Sequence, residues 1–194
     1  MFAAVLAFGL TLGGHAPPCS APLYATCANS RQLLSNQDFK AALQRFLGDK
    51  EGSYRRGTRL IYKEVVERLS VPKGPPQTLD GGARLFAGCR FISCPEKAAV
   101  IMDRSGILAV GVIDYHADFN PTLDVVVQRS GPQANARAAI LKAWADRAVA
   151  EDAAAMHAPI AVKAVQLRAL REDVATIQQP KACSKVAILI HRCR

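Results

Sequence analysis

The stretch that decides the fold is Leu85 to Val100, with the sequence LFAGCRFISCPEKAAV. Arg84 to Gly88 and Ala98 to Met102 are short apolar runs typical of β-strands, and two cysteines stand between them. A disulfide closing so short a loop adds only about 2 kcal/mol of stability, but it fixes the enclosed side chains before any binding occurs. We therefore predict a hairpin whose tip is a partner-binding loop, composed of Cys89, Arg90, Phe91, Ile92, Ser93 and Cys94.

A tight turn and two further strands follow this loop. Asp103-Arg104-Ser105-Gly106 has the residues of a four-residue hairpin turn, with glycine in the left-handed position. Ile107 to Tyr115 and Leu123 to Gln128 are again short apolar runs, the second rich in valine. Because neighbouring strands with tight connections pair in opposite directions, we predict an antiparallel β-meander.

Helical patterns precede these strands. Asn36 to Leu47 predicts an amphipathic helix, and after a polar loop a second helix is predicted to begin at Thr58 and to end before Pro72. The segment from Pro72 to Gly82 is rich in proline and glycine, which indicates an irregular crossing from the helices to the sheet. Helices packed on one face of an antiparallel sheet define an α+β fold, which is the class we predict.

The last third of the chain becomes rich in alanine. Pro132 to Met156 predicts a helix, and apolar residues from Ile160 to Gln178 continue a helical pattern. We therefore predict a helical extension over residues 132–178 and a closing strand over residues 185–192. Half of the 194 residues are hydrophobic, enough to bury one full core, so residues 17–194 are predicted to form a single domain.

The N-terminus resembles a secretory signal. Phe2 to Leu12 is apolar and is followed by two glycines and Ala16, as at the cleavage end of such a signal. The run of about a dozen residues is shorter than the roughly 20 that span a bilayer. We predict a leader over residues 1–16, a periplasmic or secreted protein and no transmembrane span. The alternative is a buried N-terminal segment of an intracellular protein.

The six cysteines form three couples that are close in sequence, which favours an oxidising compartment. Six cysteines allow 15 pairings, so the sequence does not decide how the outer four cysteines pair. Cys19–Cys27 and Cys183–Cys193 are the local choices, and the last two cysteines could instead join the first two. A zinc site is the competing interpretation, but there is no C-x-x-C and the histidines are scattered, so we predict neither a metal nor a cofactor.

The charge balance favours acidic partners and gives little support to nucleic acid. There are 25 basic and 16 acidic residues, a net charge of +9, but aromatics make up only 6% and no basic stripe carries them. Catalytic patterns are scarce too. Asp114, His116 and Asp118 alternate at a strand end and are expected to be solvated rather than metal-binding, and Glu64 and Glu67 are expected to face solvent on their helix. We predict that the protein is not an enzyme and does not bind nucleic acid.

The stretch from Leu85 to Val100, together with the order of elements over about residues 36–128, resembles the Ivy family of periplasmic inhibitors of vertebrate C-type lysozyme and its broader proteobacterial relatives. This resemblance implies an antiparallel sheet with helices on one side, frequent homodimers, and a hairpin loop that enters the lysozyme cleft. The family loop holds a basic residue, a proline, a histidine and a polar residue. Arg90 and Ser93 match the first and last of these, whereas Phe91 and Ile92 replace the proline and the histidine.

Two functions follow from the resemblance. In the first, the loop plugs the cleft of a lysozyme or another peptidoglycan hydrolase, with Arg90 bonded to a catalytic carboxylate and Phe91 and Ile92 filling a sugar subsite. In the second, an Ivy-like periplasmic or envelope binding protein has lost lysozyme inhibition and recognises another partner. Solvent exposure of Phe91 and Ile92 is required by both, since a purely structural loop would fold them back onto the core.

Overall fold

The computed structural model describes residue 19 and residues 24–115, 120–128, 132–157 and 164–169. The helices are α1 (Ser30–Ser35), α2 (Gln37–Leu47), α3 (Ile61–Arg68) and α4 (Pro132–Met156), with short 3-10 turns at Tyr24–Thr26 and Asp80–Gly82. The strands are β1 (Glu51–Tyr54), β2 (Gly57–Leu60), β3 (Val71–Pro72), β4 (Gln77–Thr78), β5 (Arg84–Cys89), β6 (Lys97–Asp103), β7 (Gly106–Tyr115), β8 (Pro121–Val127) and β9 (Ala164–Ala169).

The central sheet has the strand order β3-β5-β6-β7-β8-β9, and β4 also pairs with β5. The strands from β5 to β8 form the predicted antiparallel meander, with Phe86 opposite Val100 and Val110 opposite Val126. The predicted turn lies between β6 and β7, where Gly106 has a positive φ of 129°. The α+β class and the antiparallel meander are therefore confirmed.

The last strand, β9, differs from the prediction. Residues 164–169 were expected to be helical, but they form a strand that runs parallel to β8, with Leu167 beside Val125. The crossover through α4 is long enough to bring the chain back to the same end of the sheet, as a parallel pair requires. The open edge of β8 then supplies hydrogen-bond partners for the backbone of β9. The spacing of apolar residues within β9 gives no sign of this pairing.

Helices cover both faces of the sheet, whereas the sequence predicted them on one face. Helices α1 to α3 pack on the face that carries Phe86, Val100 and Val112. Helix α4 packs on the opposite face through Leu141 and Trp144. The reason lies in the strands, because runs such as Ala98 to Met102 are apolar at successive positions and bury both of their faces.

The segment before α3 also differs from the prediction. Residues 51–60 form the hairpin β1–β2 in place of a loop and the first turn of a helix, so α3 begins at Ile61 rather than Thr58. Gly57 follows the two-residue turn with a φ of 94°, a conformation that favours glycine. The expected irregular crossing after Pro72 contains the short strands β3 and β4. Helix α2 is as predicted, and the side chain of Asn36 accepts hydrogen bonds at its start.

Two of the predicted disulfides are present. Cys89 is bonded to Cys94 and Cys19 to Cys27, with Cα separations of 4.8 and 4.9 Å. The pairing of Cys183 with Cys193, the leader over residues 1–16 and the closing strand over residues 185–192 lie outside the described residues. None of the helices in the described part of the chain has the length and apolar character to cross a membrane.

Gly88 lies where β5 passes closest to the end of α3. A Cβ at this position would stand 2.7 Å from the Cα of Leu69 and 3.0 Å from the carbonyl oxygen of Arg68, both backbone atoms. We expect Gly88→Ala to lower the free energy of unfolding by about 1–3 kcal/mol, because two backbone segments must separate. The matched control is Gly111→Ala, whose nearest contact is a flexible Leu141 methyl at 3.1 Å. Urea denaturation should show the larger loss for Gly88→Ala, and equal losses would contradict this account.

Candidate functional site

Residues 89–94, which we call the tip, connect β5 to β6. Besides the disulfide, three backbone hydrogen bonds hold it: Arg90 N donates to Glu96 O (2.9 Å), Ser93 N to Arg90 O (3.2 Å) and Glu96 N to Ser93 O (3.0 Å). A loop closed covalently and bonded internally has little conformational entropy left to lose when it binds. The tip is therefore a preorganised element.

Two large apolar side chains at the tip face solvent. Phe91 is 80% exposed and Ile92 is 89% exposed. They border an open groove of about 430 Å³ whose other apolar walls are Leu34 and Val66. Neighbouring exposed apolar side chains that continue into an apolar groove mark an interaction surface. The purely structural alternative, in which both residues fold back onto the core, does not hold.

The side chain of Arg90 is largely buried, at the wall of the groove that Phe91 and Ile92 border. Its guanidinium pairs with Glu64 (2.8 Å), Glu67 (2.6 Å) and Glu96. Partial burial raises the pKa of Glu67, but the hydrogen bond from Arg59 and the charge of Arg90 outweigh it and hold that pKa below its usual value. The guanidinium of Arg90 therefore has carboxylate partners within its own chain, with which the predicted contact to a partner's carboxylate would compete. Arg90 anchors the tip from beneath.

The anchor belongs to a larger ion cluster. Arg68, on α3, pairs with Glu64 one turn earlier (Nη2 to Oε2, 2.9 Å) and with Asp114 on β7. The ring of Tyr54 lies 4.9 Å from the Arg68 guanidinium carbon, within cation–π range. The arginines of the cluster are Arg59, Arg68 and Arg90, and its carboxylates are Glu64, Glu67, Glu96 and Asp114.

The fold brings these charges together on one face of the sheet. Lys97 pairs with Ile113 in the register of β6 and β7, so Glu96 and Asp114 follow at the same end and point toward α3. Glu64 and Arg68 are each only 1% exposed, so the cluster is closed to solvent at its centre. Through these pairs the carboxylates hold the tip and the hairpin β1–β2 against the sheet.

Asp124 lies on the same sheet face, beside the cluster. Its Oδ2 and the Tyr54 hydroxyl occupy the space where a side chain on Gly52 would begin, which accounts for glycine there. Arg168 of β9 reaches Asp124 at 3.6 Å. Burial raises the pKa of Asp124, against the lowering effect of the Arg168 charge. The folded protein therefore binds the Asp124 proton more tightly than the unfolded chain does.

The raised pKa of Asp124 has a consequence for stability. Ionised Asp124 costs stability above its folded-state pKa, and this cost disappears as the pH falls below the usual value of 3.8. We expect Asp124→Asn to be more stable than the wild type at pH 7, with a difference that shrinks toward pH 4. Thermal unfolding across this range measures it, with the exposed Asp49→Asn as the control. A less stable Asp124→Asn at pH 7 would mean that the Arg168 pair dominates.

The sequence reasoning missed most of the ion cluster. Glu64 was expected to face solvent and is instead buried, as is Asp114, while His116 and Asp118 lie outside the described residues. Within the described residues no group of histidine, cysteine and carboxylate side chains is placed to hold a metal ion. A signal was present, because Asp114 and Asp124 each interrupt an apolar strand, and a charge in such a position needs a buried partner.

Comparison with known protein families, with curated proteins and with solved structures found no match to this chain.

Proposed function

We propose that this protein inserts Phe91 and Ile92 into the substrate cleft of a partner protein, as the resemblance to the Ivy family implies. The partner class is a lysozyme or another peptidoglycan hydrolase met in the periplasm or outside the cell. The observation that carries the proposal is the exposure of two adjacent apolar side chains on a disulfide-closed tip.

The chemistry of the tip selects the part of the cleft it would occupy. Arg90 is engaged with three carboxylates of its own chain, and Phe91 and Ile92 offer no hydrogen-bond donor in their side chains. Burying these groups against ionised catalytic carboxylates would be unfavourable. Pockets that bind ligands are lined mainly by apolar and aromatic side chains, so an apolar tip fits a sugar-binding subsite beside the carboxylates. The tip would then exclude substrate without contacting the reacting groups.

The second candidate is an Ivy-like envelope binding protein without lysozyme inhibition. The inward orientation of Arg90 favours it, because no basic or imidazole side chain at the tip is left to bond the carboxylates of a glycosidase. It uses the same tip for a different apolar pocket. The two candidate functions differ only in the partner that the tip binds.

The test is a titration of the purified protein against C-type and G-type lysozymes, followed by the rate of cell-wall lysis. We expect lysis by at least one of them to fall in a saturable manner, because an inserted tip excludes substrate stoichiometrically. The Ile92→His variant supplies the hydrogen-bonding group that the Ivy-type loop has.

The outcomes of this titration are distinct. Full lysis at large excess of wild type, together with inhibition by Ile92→His, assigns the second candidate, since the scaffold then fits the cleft and the tip has diverged. Full lysis in the presence of both proteins removes lysozyme as the partner class.

A further inference from the structure

A second concave site lies on the α4 face of the sheet, opposite the ion cluster. This basic cleft measures about 240 Å³ and is lined by Lys73 before β4, Lys97 on β6, and Arg147 and Glu151 on α4, over a floor that includes Leu85 and Trp144. The volume is just below the range of about 300–1,000 Å³ that holds drug-sized ligands, so the cleft suits a smaller molecule.

Three cations from three separate parts of the chain converge on this cleft. Lys97 is only 2% exposed, and it pairs with Asp152, which also accepts a hydrogen bond from Tyr115 Oη (3.0 Å). Burial lowers the pKa of Lys97, and the nearby positive charge of Lys73 lowers it further, against the raising effect of Asp152. Asp152 compensates the charge of Lys97, so the positive charge left in the cleft comes mainly from Lys73 and Arg147.

The groups at the mouth are suited to an anion. Lys73 and Arg147 are exposed, and the contact of Arg147 with the neutral Gln77 side chain is a long 3.5 Å. Glu151 lines the cleft and Asp152 pairs with Lys97, so the three cations outnumber the nearby carboxylates by one. A guanidinium binds a carboxylate or phosphate group through two parallel hydrogen bonds, and an ammonium adds a point charge.

From this geometry we infer that the basic cleft binds a small ligand bearing an oxyanion, either a carboxylate or a phosphate group, held by Lys73 and Arg147 at the mouth. Lys97 forms part of the wall, where its ion pair with Asp152 holds it in place. The site is separate from the tip and does not depend on the proposed hydrolase partner.

Isothermal titration with inorganic phosphate, citrate and glucuronate tests this inference, with glucose as the neutral match for glucuronate. We expect binding of at least one anion at millimolar concentration and none of glucose. Lys73→Ala and Arg147→Ala should each weaken that binding at least about tenfold, since each removes a charge-assisted contact. Preference for phosphate over the carboxylates, or the reverse, identifies which oxyanion the cleft selects.

The control variant is Arg104→Ala, which removes an exposed cation at the turn between β6 and β7. Both cleft variants alter exposed side chains, so unchanged thermal unfolding is expected and verifies that they fold. The inference is overturned if no anion binds, if glucose binds equally well, or if Arg104→Ala weakens binding as much as the cleft variants do.

Discussion

Arg68→Met is expected to lower the free energy of unfolding by about 3–5 kcal/mol, the usual effect of removing one partner from a buried ion pair. Methionine retains much of the side-chain volume, so the loss comes from charge rather than from a cavity. Glu64 and Asp114 would stay buried and would lose the guanidinium that lies between them. Urea denaturation at neutral pH measures the loss.

A second substitution tests whether unpaired charge is the cause. Arg68→Met/Asp114→Asn should recover at least about 1 kcal/mol relative to the single variant, because one uncompensated charge has gone. The asparagine oxygen can still accept the hydrogen bond that Arg55 N donates to Asp114 at 2.7 Å. Lys63→Met, at an exposed position of the same helix, is the matched control and should change little. A double variant less stable than the single one would contradict the account of the cluster.

Phe91→Ser/Ile92→Ser is expected to weaken binding to the proposed hydrolase partner at least about 100-fold, or about 3 kcal/mol, since burial of each side chain contributes about 1.5–3 kcal/mol. Because both side chains face solvent in the free protein, the free energy of unfolding of this variant should stay within about 0.5 kcal/mol of the wild-type value. Binding is measured by titration calorimetry and stability by urea denaturation.

The control for the tip is Ser93→Ala. This variant changes a side chain inside the same disulfide loop but removes no apolar surface, so it should retain most of the affinity. Equal loss in Ser93→Ala and in the double variant would show that loop conformation, rather than the two apolar side chains, governs binding. A stability loss of several kcal/mol in the double variant would show that Phe91 and Ile92 pack on the core.

Local features of the sequence predicted the sheet well. The hairpin around Cys89 and Cys94, the turn at Gly106 and helix α2 each depend on residues close together in the chain, and each is found where expected. Strand pairings between segments distant in the chain could not be predicted from local sequence features. Residues 164–169 form a strand because they pair with the open edge of β8. The spacing of apolar residues within this segment cannot predict a pairing with a strand so far away in the sequence.

The site shows the same limit. Both functions considered from the sequence require Phe91 and Ile92 to be exposed, and the structure has both side chains exposed. The orientation of the Arg90 side chain could not be predicted from the loop sequence. It depends on the carboxylates of α3 and on Glu96, which the fold brings together beneath the tip. The charge of a residue in a loop therefore gave no indication of whether it points to a partner or to its own core.

Insertion of the tip into a substrate cleft can be tested by a crosslink from position 92. The photoreactive Ile92→p-benzoylphenylalanine variant is irradiated with the hydrolase that the lysis titration selects, and the adduct is mapped by mass spectrometry. We expect an adduct on residues lining the substrate cleft, and its loss when a saccharide inhibitor fills that cleft. An adduct on another surface of the hydrolase, or one that the saccharide does not displace, would contradict insertion into the cleft.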